Sequence, residues 1–182
     1  MELSQEQYYS YEEYINIDDE NRYELTNGKL YMMSSPSNVH QSISTELLIQ
    51  IGTFLRGKTC QVTHDFNVRL WKDEDTVYIP DILVVCDNSK MNETECTGAP
   101  DFIIEIVSPS NAYRDFLIKL NEYRRSGVKE YWIIDPESKK VYVHIFDNGR
   151  YITTIYNEDA VIPVSVLPGL EIKLADLWAR MG

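Results

Sequence analysis

Two acidic residues draw attention because each lies in an otherwise apolar stretch that is typical of a β-strand. Asp81 follows Pro80 within residues 77–85, and Glu105 lies within residues 102–107. A buried carboxylate is costly unless something compensates its charge, and neither stretch contains a basic residue. Hard oxygen ligands in small number favour Mg²⁺ or Mn²⁺. If the two side chains share one face of a sheet, the pair predicts a site for a divalent metal ion.

For either residue alone, an ordinary carboxylate that faces solvent at a strand end is the competing interpretation. The occurrence of two such residues on consecutive apolar strands favours the metal site. Pro80 supports it, because proline marks a strand start, an edge or a bulge, and bulges often lie next to active sites. An ion held there can activate water and stabilise the charge that develops in phosphodiester hydrolysis.

Length and composition set the broad class of the chain. Its 182 residues can bury one good core, so we predict a single domain over residues 1–182. No apolar run approaches the length of a membrane span, and the acidic N-terminus lacks a signal-peptide pattern, so we expect a cytoplasmic protein with no membrane partner. The three cysteines have no CxxC spacing, so neither a disulfide nor a zinc site is expected; they are Cys60, Cys86 and Cys96.

The charge balance limits the possible partners. A net charge of −12 argues against broad, non-specific nucleic-acid binding, which depends on lysine and arginine neutralising phosphates. A local basic patch is still compatible with this charge, and dimerisation could place two such patches side by side. Its candidate members are Arg114, Lys119, Arg124, Arg125 and Lys129.

Four helices are predicted from apolar spacing and capping residues. Two are long, and Gly57 and Gly127 follow them as stop signals. The first short helix would begin with a capping-box pattern at Ser4 and Gln7. The predicted ranges are residues 4–14, 39–56, 112–126 and 174–181.

Strands and hairpins complete the predicted architecture. An Asn27-Gly28 turn joins the arms of a hairpin in residues 22–33, and a second hairpin spans residues 140–156. Other strands are predicted over residues 60–71, 77–85, 102–107 and 130–135. From residue 39 onward the order is helix, three strands, helix, strand. This order predicts an α/β (α+β) fold in which helices flank a mixed central sheet and β-hairpins are added to it.

Several further stretches occur in a fixed order with these elements: Tyr23-Glu24-Leu25 with Asn27-Gly28, His40, Pro80-Asp81-Ile82, residues 104–110, Asp115 with Lys119 and Tyr123, and residues 127–136. This ordered set resembles the PD-(D/E)XK nuclease superfamily, and within it the Uma-type family of restriction-endonuclease-like proteins. The resemblance covers most of the chain and implies a restriction-endonuclease-like fold, with a nuclease core at about residues 22–136 and a C-terminal hairpin and short helix in 137–182.

The resemblance implies a Mg²⁺-dependent (or Mn²⁺-dependent) DNA endonuclease. Asp81, Glu105 and the carbonyl of Ile106 would hold the metal. The superfamily pattern has lysine two residues after the second carboxylate, where this chain has Val107. The resemblance moves that role to Lys119, which would position water or phosphate.

The other candidate site residues each have a competing structural interpretation. Asp115 lies four residues before Lys119 on the same helical face, and the two could instead form a surface ion pair worth little. By resemblance, Glu24 adds a carboxylate and His40 faces the cleft. The alternatives are an exposed hairpin charge for Glu24 and a helix-terminal residue bonded to backbone for His40. His64 and His144 alternate with apolar residues in strands and are interpreted as structural.

Three functions remain open at this point. The first is the DNA endonuclease. The second is a nuclease-fold protein that no longer cuts and serves as a binding or assembly unit, which the strong acidity and Val107 keep open. The third is an RNA or junction nuclease, which differs only in substrate. A homodimer is predicted, because a two-fold assembly is the simplest way to cut a two-stranded substrate.

Overall fold

A six-stranded mixed sheet forms the centre of the structure, a computed structural model that describes residues 7–108 and 112–181. Strands are numbered in chain order. Across the sheet they are β10 (Arg150–Tyr156), β9 (Lys140–Asp147), β8 (Glu130–Asp135), β7 (Phe102–Ile106), β5 (Ile82–Val85) and β3 (Gln61–His64). Strands β7 and β8 pair in parallel, and the other neighbours are antiparallel. The predicted mixed sheet is therefore confirmed.

Three small two-stranded sheets surround the central one. They pair β1 (Tyr23–Thr26) with β2 (Lys29–Met32), β4 (Asn67–Arg69) with β6 (Glu95–Thr97), and β11 (Val161–Pro163) with β12 (Glu171–Lys173). Both predicted hairpin turns are present. Asn27 and Gly28 have φ values of 49° and 75°, and Asn148 and Gly149 have 48° and 84°. Positive φ at both central residues is the geometry of a tight type I′ hairpin turn.

The helices pack on both sides of the central sheet. They are α1 (Tyr11–Ile15), α2 (Asn38–Leu55), a π-helix (Arg114–Lys119) that leads into α3 (Leu120–Ser126), and α4 (Leu174–Trp178), with short 3₁₀ turns at Asn88–Lys90 and Ala179–Met181. The predicted cap at Ser4 lies outside the described residues. The capping box that the structure shows joins Ser10 and Glu13 at the start of α1.

Each face of the sheet has its own apolar core. Alternate residues of β5, such as Ile82 and Val84, pack toward α2 and α4, whereas Leu83 and Val85 pack toward α3. Because helices cover both faces, β5, β7 and β8 are apolar almost throughout their length. Glu105 is the exception in β7, and it lies on the α3 side.

Two predicted strands are interrupted in the structure. Residues 60–71 do not form one strand, because Asp65 has a φ of 49° and directs the chain from β3 into β4, which belongs to another sheet. In residues 77–85, regular pairing begins only at Ile82. Val77 and Tyr78 instead make isolated bridges to the hairpin and to β4. The predicted helix over residues 112–126 is also not uniform, since the π-helix replaces α-helical geometry over six residues.

The expectation of unpaired cysteines is wrong. Cys60 and Cys86 form a disulfide whose Cα atoms are 3.9 Å apart. They lie one step beyond the register pair Gln61 and Val85, so the antiparallel pairing of β3 with β5 brings them together. Cys96 is free and buried. The argument for a reducing compartment from cysteine usage therefore no longer holds. Within the described part of the chain, no helix has the length and apolarity needed to span a membrane.

Reduction of this disulfide is expected to lower the free energy of unfolding by about 3–4 kcal/mol, because the bond closes a loop with a sequence separation of 26 residues. Guanidinium unfolding with and without reductant measures the effect. The double variant Cys60→Ala/Cys86→Ala should be equally destabilised and insensitive to reductant. An unchanged midpoint in the wild type would show that the bond contributes nothing.

Candidate functional site

Asp81 immediately precedes β5 and Glu105 lies near the end of β7, and both side chains line the same cavity. Because β5 and β7 are antiparallel, with Ile82 opposite Ile104, the residue before β5 lies beside the end of β7. The cavity has a volume of about 730 Å³. All five side chains predicted for the site line it, together with Asp115 and Ile106; the five are Glu24, His40, Asp81, Glu105 and Lys119.

Asp81 joins the site to the backbone of β7. Its Oδ2 accepts a hydrogen bond of 2.6 Å from the Ile106 amide, and its Oδ1 lies 3.1 Å from Nε2 of His40. His40 is in the first turn of α2, where its backbone amide is capped by Ser37. Burial lowers the pKa of His40, but the hydrogen bond and negative charge of Asp81 outweigh it and raise the pKa. The imidazole therefore faces the cleft and holds Asp81.

Lys119 lies at the centre of a group of carboxylates. Its Nζ is 2.8 Å from Oε1 of Glu105, 2.9 Å from Oε1 of Glu24 and 3.5 Å from Oδ1 of Asp115. Lys119 is 5% exposed and Asp115 is 4% exposed, so the alternative of a surface ion pair is wrong. Burial lowers the pKa of Lys119, but the nearby carboxylates raise it more strongly, so the amine stays charged.

Glu24 is likewise buried rather than an exposed hairpin charge. It is 4% exposed, and Arg114 lies 3.0 Å from its Oε2. Its Oε1 also accepts a hydrogen bond of 3.0 Å from the backbone amide of Ile79. The guanidinium of Arg114 lies over the ring of Tyr31, 3.8 Å from its centroid. The β1–β2 hairpin thus contributes both an acid and an aromatic platform to the cleft.

Two contributors were not predicted as site residues. The hydroxyl of Tyr123 donates a hydrogen bond of 3.0 Å to Oε1 of Glu105, and Arg114 pairs with Glu24. The family resemblance includes Tyr123 with Asp115 and Lys119 but assigns it no role. The signal for it was present, because Asp115, Lys119 and Tyr123 recur every four residues and share one helical face. Nothing local to Arg114 indicates its partner.

The predicted basic patch is largely neutralised. Arg125 lies 2.7 Å from a carboxylate oxygen of Glu74 and 2.8 Å from one of Glu122. Lys129 lies 2.6 Å from Asp101. Most basic side chains of this patch are therefore paired with acids of the protein itself, including Arg114 and Lys119 in the cleft.

The cluster carries more acids than permanent cations. Three of the four carboxylates contact Lys119 or Arg114, and the fourth, Asp81, contacts His40. Four acids against two permanent cations leave 4 − 2 = 2 uncompensated negative charges, or one if His40 is protonated. Burial and the neighbouring acids raise the pKa of Glu105 despite the opposing charge of Lys119. Burial likewise raises the pKa of Asp115 to about 6. A bound cation would relieve this excess of negative charge.

The donor set fits a hard divalent cation in charge and in type of atom. Asp81 and Glu105 offer carboxylate oxygens, and Ile106, which lines the same cavity, has a backbone carbonyl that could complete the set. Across residues 7–108 and 112–181, no three His, Cys, Asp or Glu side chains already surround one metal position. Two carboxylates supplemented by a carbonyl and waters is a ligand set that Mg²⁺ accepts. His64 lies outside the lining of this cavity, and His144 is buried against Thr153.

A family model, a relative and a solved structure each match most of this chain. The family model Uma2, described as "Putative restriction endonuclease", matches residues 5–175. An uncharacterized protein from Synechocystis sp. is 25% identical over 150 residues, which cover 80% of this chain and 78% of that protein. The crystal structure of a protein from Anabaena variabilis, described as a "putative nuclease belonging to DUF820", aligns with a TM-score of 0.79 and 22% identity, covering 95% of this chain and 99% of that one. That likeness supports the fold.

Proposed function

Because the chain belongs to the Uma2 family, described as "Putative restriction endonuclease", we propose that it is a DNA endonuclease that hydrolyses phosphodiester bonds with Mg²⁺ or Mn²⁺. The observation that carries the proposal is the cleft in which Asp81, Glu105 and the charged amine of Lys119 come together. Buried carboxylates in excess of cations are costly for stability alone, and they suit a site that binds a metal.

Asp81, Glu105 and the Ile106 carbonyl would hold the ion in this proposal. When bound, a divalent ion lowers the pKa of a water and stabilises charge on the phosphate. The protein's own part is to fix the donors. His40 and the Ile106 amide hold the Asp81 carboxylate at 3.1 and 2.6 Å. Tyr123 and Lys119 both bond to Oε1 of Glu105, so its Oε2 would be the oxygen that holds the ion.

In this proposal, Lys119 takes the role of the lysine that the superfamily pattern has at the position of Val107. It reaches the acids from the π-helix after β7, and its long side chain extends back to Oε1 of Glu105 at 2.8 Å. Its raised pKa keeps it protonated at neutral pH. We assign it the role of keeping positive charge next to the attacking water and the phosphate oxygen. Glu24 holds the amine from the other side, at 2.9 Å.

The rim of the cleft is suited to a nucleic-acid backbone. Exposed Arg22 and half-buried Tyr31 line it, and Arg114 lies behind them, paired with Glu24 and stacked on Tyr31. Arginine can bond phosphate oxygens and aromatic rings can stack on bases. No set of side chains on these elements is arranged to read base edges. We therefore propose duplex DNA as the substrate class and assign no recognition sequence.

One observation favours the second function, a nuclease fold that no longer cuts. Lys119 is already bonded to three carboxylates, and both oxygens of Asp81 have partners, so the cluster is partly neutralised by the protein itself. A binding or assembly protein could retain such a cluster for stability. The two functions differ in whether the cluster binds a divalent ion and whether DNA is cut.

Incubation of the purified protein with supercoiled plasmid tests the proposal. Nicking is expected in Mg²⁺ or Mn²⁺ and is expected to be abolished by EDTA, because the ion supplies the activated water. Titration calorimetry with Mn²⁺ alone measures binding without a substrate. If plasmid, single-stranded DNA, branched DNA and RNA all stay intact and no heat of metal binding is seen, the non-cutting function is correct. Cleavage restricted to RNA or branched DNA would show that the proposed substrate is wrong and that the proposed metal-dependent hydrolysis is correct.

A further inference from the structure

Strand β10 is a long, exposed edge of the central sheet. It has seven residues and pairs on one side with β9. Within the described residues, no backbone bond joins its other side to another segment. Ile152 and Ile155 are 50% and 55% exposed. Its last six residues, 151–156, carry no charge, no proline and no glycine.

Natural sheets normally protect such an edge with charges, proline, a bulge or a very short strand. The opposite edge, β3, follows this rule with four residues. The β10 edge has none of these devices between Tyr151 and Tyr156. In a chain of net charge −12, it is also a surface at which two copies can meet without opposing like charges. An edge of this kind is expected to be covered by another strand.

Hairpin geometry determines which backbone groups of β10 point outward. Asp147 and Arg150 flank the two-residue turn and therefore form a hydrogen-bonded pair. Alternate residues after Arg150 bond inward to β9 in the same way. The outward amides and carbonyls consequently belong to the odd-numbered residues, namely Tyr151, Thr153 and Ile155.

Two identical strands can satisfy these groups in one symmetric register. A two-fold axis perpendicular to the sheet keeps each residue on its own face, so an antiparallel pair must join two odd or two even positions. Centring the axis on Thr153 places it opposite the partner's Thr153. It also places Tyr151 opposite the partner's Ile155. Threonine pairs and aromatic–β-branched pairs are favourable across strands.

We propose that β10 pairs antiparallel with β10 of a second copy about a two-fold axis at Thr153, joining two six-stranded sheets into one of twelve. All three outward-facing residues are then paired, with two bonds in each of three pairs, or about six bonds. Centring the axis on any other odd residue leaves some of these groups unpaired. The axis also keeps both clefts on the same face of the joined sheet, because Glu105 lies on the α3 side in each copy.

Cysteine cross-linking tests the register. Thr153→Cys places two thiols in a hydrogen-bonded pair whose Cα atoms are about 5.5 Å apart, within disulfide range. Thr154→Cys lies opposite the partner's Ile152, so its own copies are about 8 Å apart and out of range. With copper phenanthroline in air as the oxidant, we expect a disulfide-linked dimer from Thr153→Cys at least about 10-fold faster than from Thr154→Cys. Equal rates, or a faster reaction of Thr154→Cys, would overturn the register.

Light scattering tests the surface itself. Thr153→Pro removes an outward amide, and the matched variant Thr153→Val keeps it while losing the same 2.8 Å contact to His144. We expect Thr153→Pro to raise the dimer dissociation constant about 30-fold or more, and Thr153→Val to change it by less than about 3-fold. Wild-type protein that stays monomeric at high micromolar concentration would overturn the proposal. So would a dimer that neither Thr153→Pro nor Ile155→Lys weakens.

Discussion

Asp81→Asn is expected to reduce the rate of plasmid cleavage by about 100- to 1,000-fold while leaving the fold intact. An amide cannot supply the negative charge that a divalent ion requires, although its oxygen can still accept the bond from the Ile106 amide. Asp81 is part-buried, with 14% of its side chain exposed. Replacing it with an uncharged asparagine therefore leaves no unpaired buried charge in the core. Thermal unfolding should therefore stay close to that of the wild type.

Two further measurements make this result specific. The pKa of His40 should fall in Asp81→Asn, because the bond and charge of Asp81 are what raise it against burial, and NMR titration can follow it. Asp147→Asn, which removes a carboxylate from the far end of β9, is the matched control and should cut normally. Full activity in Asp81→Asn would remove this residue from the metal site.

Lys119→Met is expected to lower the free energy of unfolding by about 3–5 kcal/mol and to abolish cleavage. Lys119 is 5% exposed and bonds to three acids, of which Glu105 is 3% exposed. Methionine fills a similar volume without charge, so the buried carboxylates lose their cation. Chemical unfolding at pH 7 measures the loss. Unchanged stability would mean that the cluster is neutralised in another way.

The pH dependence of Lys119→Met follows from the sign of the carboxyl shifts. A carboxyl whose pKa is raised by folding binds protons more tightly in the folded state, so stability rises as pH falls. The pKa of Asp115 is about 6 with Lys119 present, and Lys119 lowers it, so the variant should titrate higher still. The stability gap to the wild type is expected to narrow between about pH 8 and about pH 5.5.

Lys139→Met provides the control for this experiment. Lys139 and Glu158 form an ion pair of 3.3 Å in which the side chains are 47% and 55% exposed. Such a pair contributes less than about 1 kcal/mol, and no buried acid depends on it. The control should therefore be nearly as stable as the wild type at every pH.

The features that sequence predicted well depend on local pattern. The apolar runs around Glu105 and in residues 130–135 are strands because both faces of the sheet are covered, and α2 follows its apolar spacing. The convergence of Asp81 and Glu105 followed from their place on consecutive strands. The family resemblance supplied Glu24, His40 and Lys119, and the structure brings all of them to the same cavity.

The features that sequence missed depend on distant pairing. Alternation continues through Asp65, so the apolar pattern could not show that the chain changes sheets there. Cys60 and Cys86 meet only because β3 and β5 adopt one register, which spacing in the chain does not encode. Arg114 pairs with Glu24 across the fold for the same reason. The burial of the Asp115–Lys119 pair likewise depends on contacts between distant parts of the chain, so the local sequence could not predict it.

The hydrogen bond from the Ile106 amide to Asp81 has a mechanical consequence. β5 begins at Ile82, so on the side that faces β5 the end of β7 is held by a side chain rather than by backbone pairing, whereas its other side pairs with β8. The carboxylates of Asp81 and Glu105 are thereby linked through the peptide unit that joins Glu105 to Ile106. We expect a shift of that peptide to displace both carboxylates in the same direction, which limits changes in the distance between them.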